Sequence, residues 1–93
     1  MLTYDYNVNR LDIREKKRDE DVEFNLAIED LAMIERLKAV RERFENNDVF
    51  TDVMIYPHKD HVYQIIVRED YYIDFILELF KQKVLKSVSW TEE

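Results

Sequence analysis

An α+β fold, with two helices on one face of an antiparallel sheet, follows from three observations. Segments 29–46 and 70–84 carry apolar side chains at helical spacing. Segments 22–28, 49–56 and 61–68 alternate or are rich in β-branched and aromatic residues, as strands are. Read in chain order, these segments give strand–helix–strand twice over. A chain of 93 residues holds one such domain, because two halves would each fall near the size where a core alone fails.

Residues 1–20 read as an N-terminal extension or extra strand, and 21–93 as the single domain. Leu2, Tyr4, Tyr6 and Val8 alternate, then slip phase to Leu11 and Ile13, which suits a bulged strand or a loosely ordered arm. Residues 10–18 (RLDIREKKR) hold five basic and two acidic side chains, a local +3, and four acids follow within 19–23. Short charge runs of this kind read as solvated turn. Val22, Phe24, Leu26 and Ile28 then alternate with Glu23, Asn25 and Ala27, the period of a half-buried strand. The rival reading runs the first helix back to about residue 20.

In the first helix Met33, Leu37, Val40 and Phe44 form one stripe, widened by Leu31 and Ile34. Asp30 is its natural N-cap and Asn46-Asn47 its natural stop, since Asn tolerates the left-handed region where Gly is missing. One of those two Asn residues is therefore expected at positive φ. The strand at 49–56 turns at Pro57 to Asp60, with Pro57 presetting a type I turn, into its partner at 61–68. Tyr63, Ile65 and Val67 are the inward set of that partner. Asp70 caps a second helix whose expected buried stripe is Ile73, Leu77, Phe80 and Val84. Val88 and Trp90 alternate with Ser87 and Ser89 in a last strand, from which Trp90 would cap the core.

Shifting the chain by 40 residues superposes Glu29-Asp30 on Glu69-Asp70 and Met33, Leu37, Val40, Phe44 on Ile73, Leu77, Phe80, Val84. Two copies of a strand–helix–strand unit give β-α-β-β-α-β, the ferredoxin-like split arrangement, with an extension that adds a strand.

Composition removes whole classes of chemistry. There is no glycine, no cysteine and one proline. No phosphate-cradling or dinucleotide-binding glycine loop, nucleophile elbow, thiol nucleophile or cysteine-held metal is available, and no cofactor motif is left. A net charge of −7 argues against nucleic acid or an anionic membrane as the main partner. No basic-then-apolar leader opens the chain and no uncharged apolar run approaches the ~20 residues of a membrane span. The cytoplasm is the expected compartment.

His58, Asp60 and His61 are the only residues that suggest a metal, and a solvated turn explains them as well. No catalytic constellation stands out. The hairpin, however, is apolar on both faces: Phe50, Met54, Tyr56, Val62 and Ile66 fall on the side away from the helices. A soluble monomer rarely exposes such a patch. The extension could lie over or beside it, two chains could pair sheet to sheet, or a ligand or partner could bind. With Tyr71 and Tyr72 at the start of the second helix, these residues are the candidates for protein contact. The expected function is a small, acidic, non-catalytic interaction or regulatory module, self-associating as a homodimer or binding a partner protein. A dimeric α/β barrel enclosing a small-molecule site is the alternative, with Glu23, Asn25, Gln64 and Arg68 as its polar candidates. A weak nucleic-acid contact through Arg10, Arg14, Lys16, Lys17 and Arg18 is the third reading.

Overall fold

A computed structural model describes residues 1–45 and 53–92. The class is α+β, with two α-helices among the described residues, open antiparallel sheets and a strand–helix–strand order compatible with the ferredoxin-like split. The elements are β1 (Leu2–Asp5), β2 (Leu11–Arg18), β3 (Asp21–Ile28), α1 (Leu31–Glu45), β4 (Val53–Pro57), β5 (Val62–Arg68), α2 (Tyr72–Lys81) and β6 (Ser87–Trp90). Four strands form one sheet in the order β2-β3-β5-β4, and β1 pairs with β6 in a separate ribbon.

The phase slip after Val8 is thus a break between two strands. Asn7 accepts from the backbone of Asn9 through its side chain and from Arg10 and Leu11 through its carbonyl, which turns the chain. The basic run is not a turn but edge strand β2, closed onto β3 by a hairpin with Asp19 at positive φ. Leu11 and Ile13 stand opposite Ile28 and Leu26 and enter the core, so the run could not stay in solvent. Its Lys and Arg side chains blunt the edge against further pairing. The extension therefore supplies the edge strand next to β3, at the far edge from β4, and does not cover the outer face of the hairpin, where Met54 and Tyr56 stay exposed.

Val22, Phe24, Leu26 and Ile28 of β3, Ile65 and Val67 of β5, and Val53 of β4 face the helices and form one core with them. Asp30 caps α1 by accepting from the Met33 amide, and Arg10 holds the same carboxylate. Arg10 first, then the Met33 amide, lowers the Asp30 pKa to about 2. Met33, Ile34, Leu37 and Val40 are buried and Phe44 half-buried, while Leu31, more than about 100° round the helix from the centre of that stripe, is exposed. The expected stop at Asn46-Asn47 lies outside the described residues, as do residues 49–52 of the strand expected at 49–56. Pro57 ends β4 and does not start the turn; the reversal comes later, where Asp60 and His61 both adopt positive φ.

The second helix corrects the sequence reading most. Asp70 lies in a short turn before α2, not at its cap, and the helix opens at Tyr72. Phe75, Ile76 and Leu79 are the buried set, whereas Ile73, Leu77 and Phe80 are 43%, 45% and 42% exposed. α2 is apolar around most of its circumference, so two stripes fit its periodicity, and the 40-residue offset selected the outer one. The offset is therefore no structural repeat. Phe75 decides the rotation by stacking on Phe24, with ring centroids 5.0 Å apart.

α2 ends in a Schellman motif built without glycine. The Val84 amide donates to the Leu79 carbonyl (2.9 Å) and the Lys83 amide to that of Phe80 (3.0 Å). Lys83 takes the left-handed position at φ 65°. Asp and His tolerate that region better than Lys, so Asp19, Asp60 and His61 are the milder cases. Val84 is buried as the last apolar contact of this motif, off the helix itself. Trp90 is 67% exposed and does not cap the core: β6 pairs with β1 outside the main sheet.

Two stability tests follow. Lys83→Gly relieves the left-handed backbone and is expected to stabilise the fold by about 0.5–1 kcal/mol in denaturant titration, with Lys83→Ala near neutral. Phe75→Ala should cost about 3–5 kcal/mol and Leu77→Ala less than about 1 kcal/mol. Equal losses at 75 and 77 would place the wrong face of α2 against the sheet.

Candidate functional site

Helices on one side leave the other face of the sheet open, and β-strand alternation decides what it shows. Register aligns two rows across it. One runs Met54, Ile66, Glu23, Lys16; the other runs Tyr56, Gln64, Asn25, Arg14. The face therefore grades from apolar at edge strand β4 to cationic at edge strand β2.

At its centre sits Glu23, buried although charged. Its carboxylate accepts from Asn25 Nδ2 (3.0 Å) and Gln64 Nε2 (3.3 Å), and Arg18 Nη2 lies 3.4 Å away. Because the Gln64 amide nitrogen donates to Glu23, its oxygen is left to accept from His58 Nε2 at 3.1 Å. The chain of donors thus selects the Nε2–H tautomer of His58. The hydrogen bond from Asn25 first, then that from Gln64, holds the Glu23 carboxyl below the usual range against an opposing desolvation. A carboxylate kept ionised by so many donors is a weak base, and it orders the face rather than attacking anything on it.

Of the sequence candidates, Met54, Tyr56, Val62 and Ile66 come together here. Met54 and Tyr56 are exposed and Val62 and Ile66 half-buried, and the Tyr56 hydroxyl reaches Met54 Sδ at 3.3 Å. Phe50 lies outside the described residues. Glu23, Asn25 and Gln64 join the network, while Arg68 stands at its margin opposite Asp21. Tyr71 and Tyr72 belong to the helix side. Tyr72 packs edge-on against Phe24, and its hydroxyl donates to Glu15 Oε1 at 2.8 Å. Tyr4 donates to the other Glu15 oxygen. Burial first, then the shared carboxylate, pushes both phenols above their usual value.

His58, Asp60 and His61 do not converge, and among the described residues no group of three ligating side chains could hold a metal ion. The basic run has mostly internal partners: Arg10 pairs with Asp30, Arg14 with Asp12, Lys17 with Glu69 and Arg18 with Glu23. No helix among the described residues is long and apolar enough to cross a membrane. A cavity of about 150 Å³ lies on the helix side between Ile34, Leu37 and Arg41 of α1 and Ile55, Pro57 and Tyr63 of the sheet. Sequence reasoning missed this cavity, and it missed the place of His58 in the network, which depends on the loop that carries it back over Gln64.

Comparison with protein-family models, with curated proteins and with solved structures finds no match to this chain.

The depressed Glu23 pKa has a defined sign in stability. A group whose folded pKa is lowered adds stability above its ordinary value of 4.5, and that stability disappears as pH falls through the folded value. Urea midpoints measured downward from pH 7 should fall on this limb in the parent chain. Glu23→Gln should be less stable at pH 7 and show a shallower acid limb; an unchanged limb would mean that Glu23 is not held ionised by this network.

Proposed function

We propose that this chain is a small, non-catalytic protein-interaction module whose open sheet face docks a partner protein. The observation that carries the reading is the half-exposed pair Met54 and Tyr56, continuous through Ile66 with a buried, fully bonded polar centre. Tyr and Met are side chains that interfaces favour, because each offers apolar area with little conformational commitment or with ready adaptability. The network beneath them keeps the face rigid before binding, which lowers the ordering cost of association. Lys16 on the edge strand beside it makes no ion pair among the described residues and suits a partner with an acidic rim, on a chain whose net charge is −7. Glu23 supports the non-catalytic reading, since its donors leave it little basicity.

A photo-crosslinking residue in place of Tyr56, with the same residue in place of Lys38 on the helix side as control, tests this in cells of the source organism. The expected result is one discrete adduct from position 56 and none from position 38, lost when Met54→Asp is added to a chain that melts unchanged. An adduct of twice the chain mass identifies a second copy as the partner, and any other mass a different protein. No adduct at 56, or the same adducts at both positions, would overturn the assignment.

A further inference from the structure

The outer stripe of α2 lies on the opposite side of the molecule from the proposed docking face, because Phe75 binds α2 to the helix side of β3. Ile73, Leu77 and Phe80 follow i, i+4, i+7 and fall within about 60° of one another at roughly 100° per residue. This is the spacing at which apolar side chains anchor a helix-to-helix contact. The charges beside them choose the occupant. Asp74 and Lys81 are seven residues apart, so they share one flank of the stripe, and both are exposed. Neither makes an ion pair among the described residues. On this exposed flank acid thus lies in the first half of the helix and base in the second, with Leu77 between them; Glu78, the other acid of α2, is buried and paired with Arg43.

We propose that two copies of this chain associate through α2, antiparallel, about a two-fold axis that passes beside Leu77. In that arrangement the shared flank of one helix meets the same flank of the other with its direction reversed. Asp74 then faces Lys81 of the second copy, and the symmetry makes the pair twice. Ile73 of one copy packs near Phe80 of the other, and the two Leu77 side chains meet at the axis. The opposed helix dipoles add to the same polarity. A parallel pair would put the Asp74–Lys81 flanks of the two copies on opposite sides of the seam, so only the antiparallel pair brings these charges together. Three anchors per copy make a small interface, and the dimer is accordingly weak and concentration-dependent.

Sedimentation velocity on the full chain, from about 10 µM to about 1 mM, reads the association directly. The parent chain should pass from 11.5 kDa toward twice that mass. Leu77→Asp should remain monomeric throughout with an unchanged circular dichroism spectrum, since Leu77 is not part of the core. Asp74→Lys and Lys81→Asp should each weaken association at least tenfold, and the double exchange should restore it, because it rebuilds the pair with its signs reversed. The chain has no cysteine, so Leu77→Cys should form a single disulfide-linked dimer under mild oxidation. A parent chain that stays monomeric across the range would overturn the proposal. So would a dimer that survives Leu77→Asp, or one whose charge exchange gives no rescue. A dimer abolished by Met54→Asp and indifferent to Leu77→Asp would place self-association on the sheet face, leaving the docking reading intact and this one refuted.

Discussion

The stacking of Phe75 on Phe24 is the contact on which the rest of this structure depends. The rings lie 5.0 Å apart, with Tyr72 edge-on to Phe24 at 5.8 Å and Phe44 of α1 at 6.1 Å from Phe75. Phe24 is fully buried at the middle of β3, one of the two central strands. Its position on the helix side dictates that Glu23 and Asn25, its neighbours in the strand, project to the other side. The same contact sets the rotation of α2 and so turns Ile73, Leu77 and Phe80 outward. One aromatic pair therefore determines both what the open face presents and what the far side of the molecule presents.

A second constraint comes from the edge. With β6 paired to β1, the ribbon needs its own attachment to the main sheet. Glu15 supplies it from the helix side of β2, accepting from Tyr4 of the ribbon and Tyr72 of α2. Tyr6 adds a bond to the Ile13 carbonyl. A single carboxylate on the edge strand thus ties together β1, β2 and the distant α2. This explains a composition that otherwise reads as surplus: six tyrosines in this chain include two committed to Glu15 and one to the β2 backbone, each with an apolar ring in or against the core.

Much of the fold was legible because alternation in a strand has one solution. Val22 to Ile28 has one apolar face that fits the core, and in Tyr63 to Val67 the polar Gln64 marks the outer face, so Tyr63, Ile65 and Val67 turn inward. Asp30 was legible because a side-chain acceptor before an apolar stripe satisfies amides that have no other partner. α2 was not, because its apolar arc is wider than the face the core uses, so more than one stripe fits its periodicity; the choice was made by Phe24, from another element. The same holds for β2. Its charge hides a strand whose first half, Leu11 and Ile13, is needed by the core, and only the pairing with β3 shows it. The open-face candidates could be read from alternation alone, whereas the link from His58 to Gln64 depends on a loop with two consecutive left-handed residues that no local signal specifies.

The two proposed surfaces bear on each other through geometry. The open face and the outer stripe of α2 lie on opposite sides of the sheet, so a contact at one leaves the other free. Two copies joined across α2 would turn their open faces away from each other. Each dimer would then carry two docking faces at a fixed separation. A partner with repeated sites, or itself a dimer, would meet the second face at high effective concentration once the first is engaged. A weak helix contact is enough for this purpose, because binding of such a partner and pairing of α2 would each favour the other by mass action. The modest size of the α2 stripe is then consistent with a module assembled by what it binds.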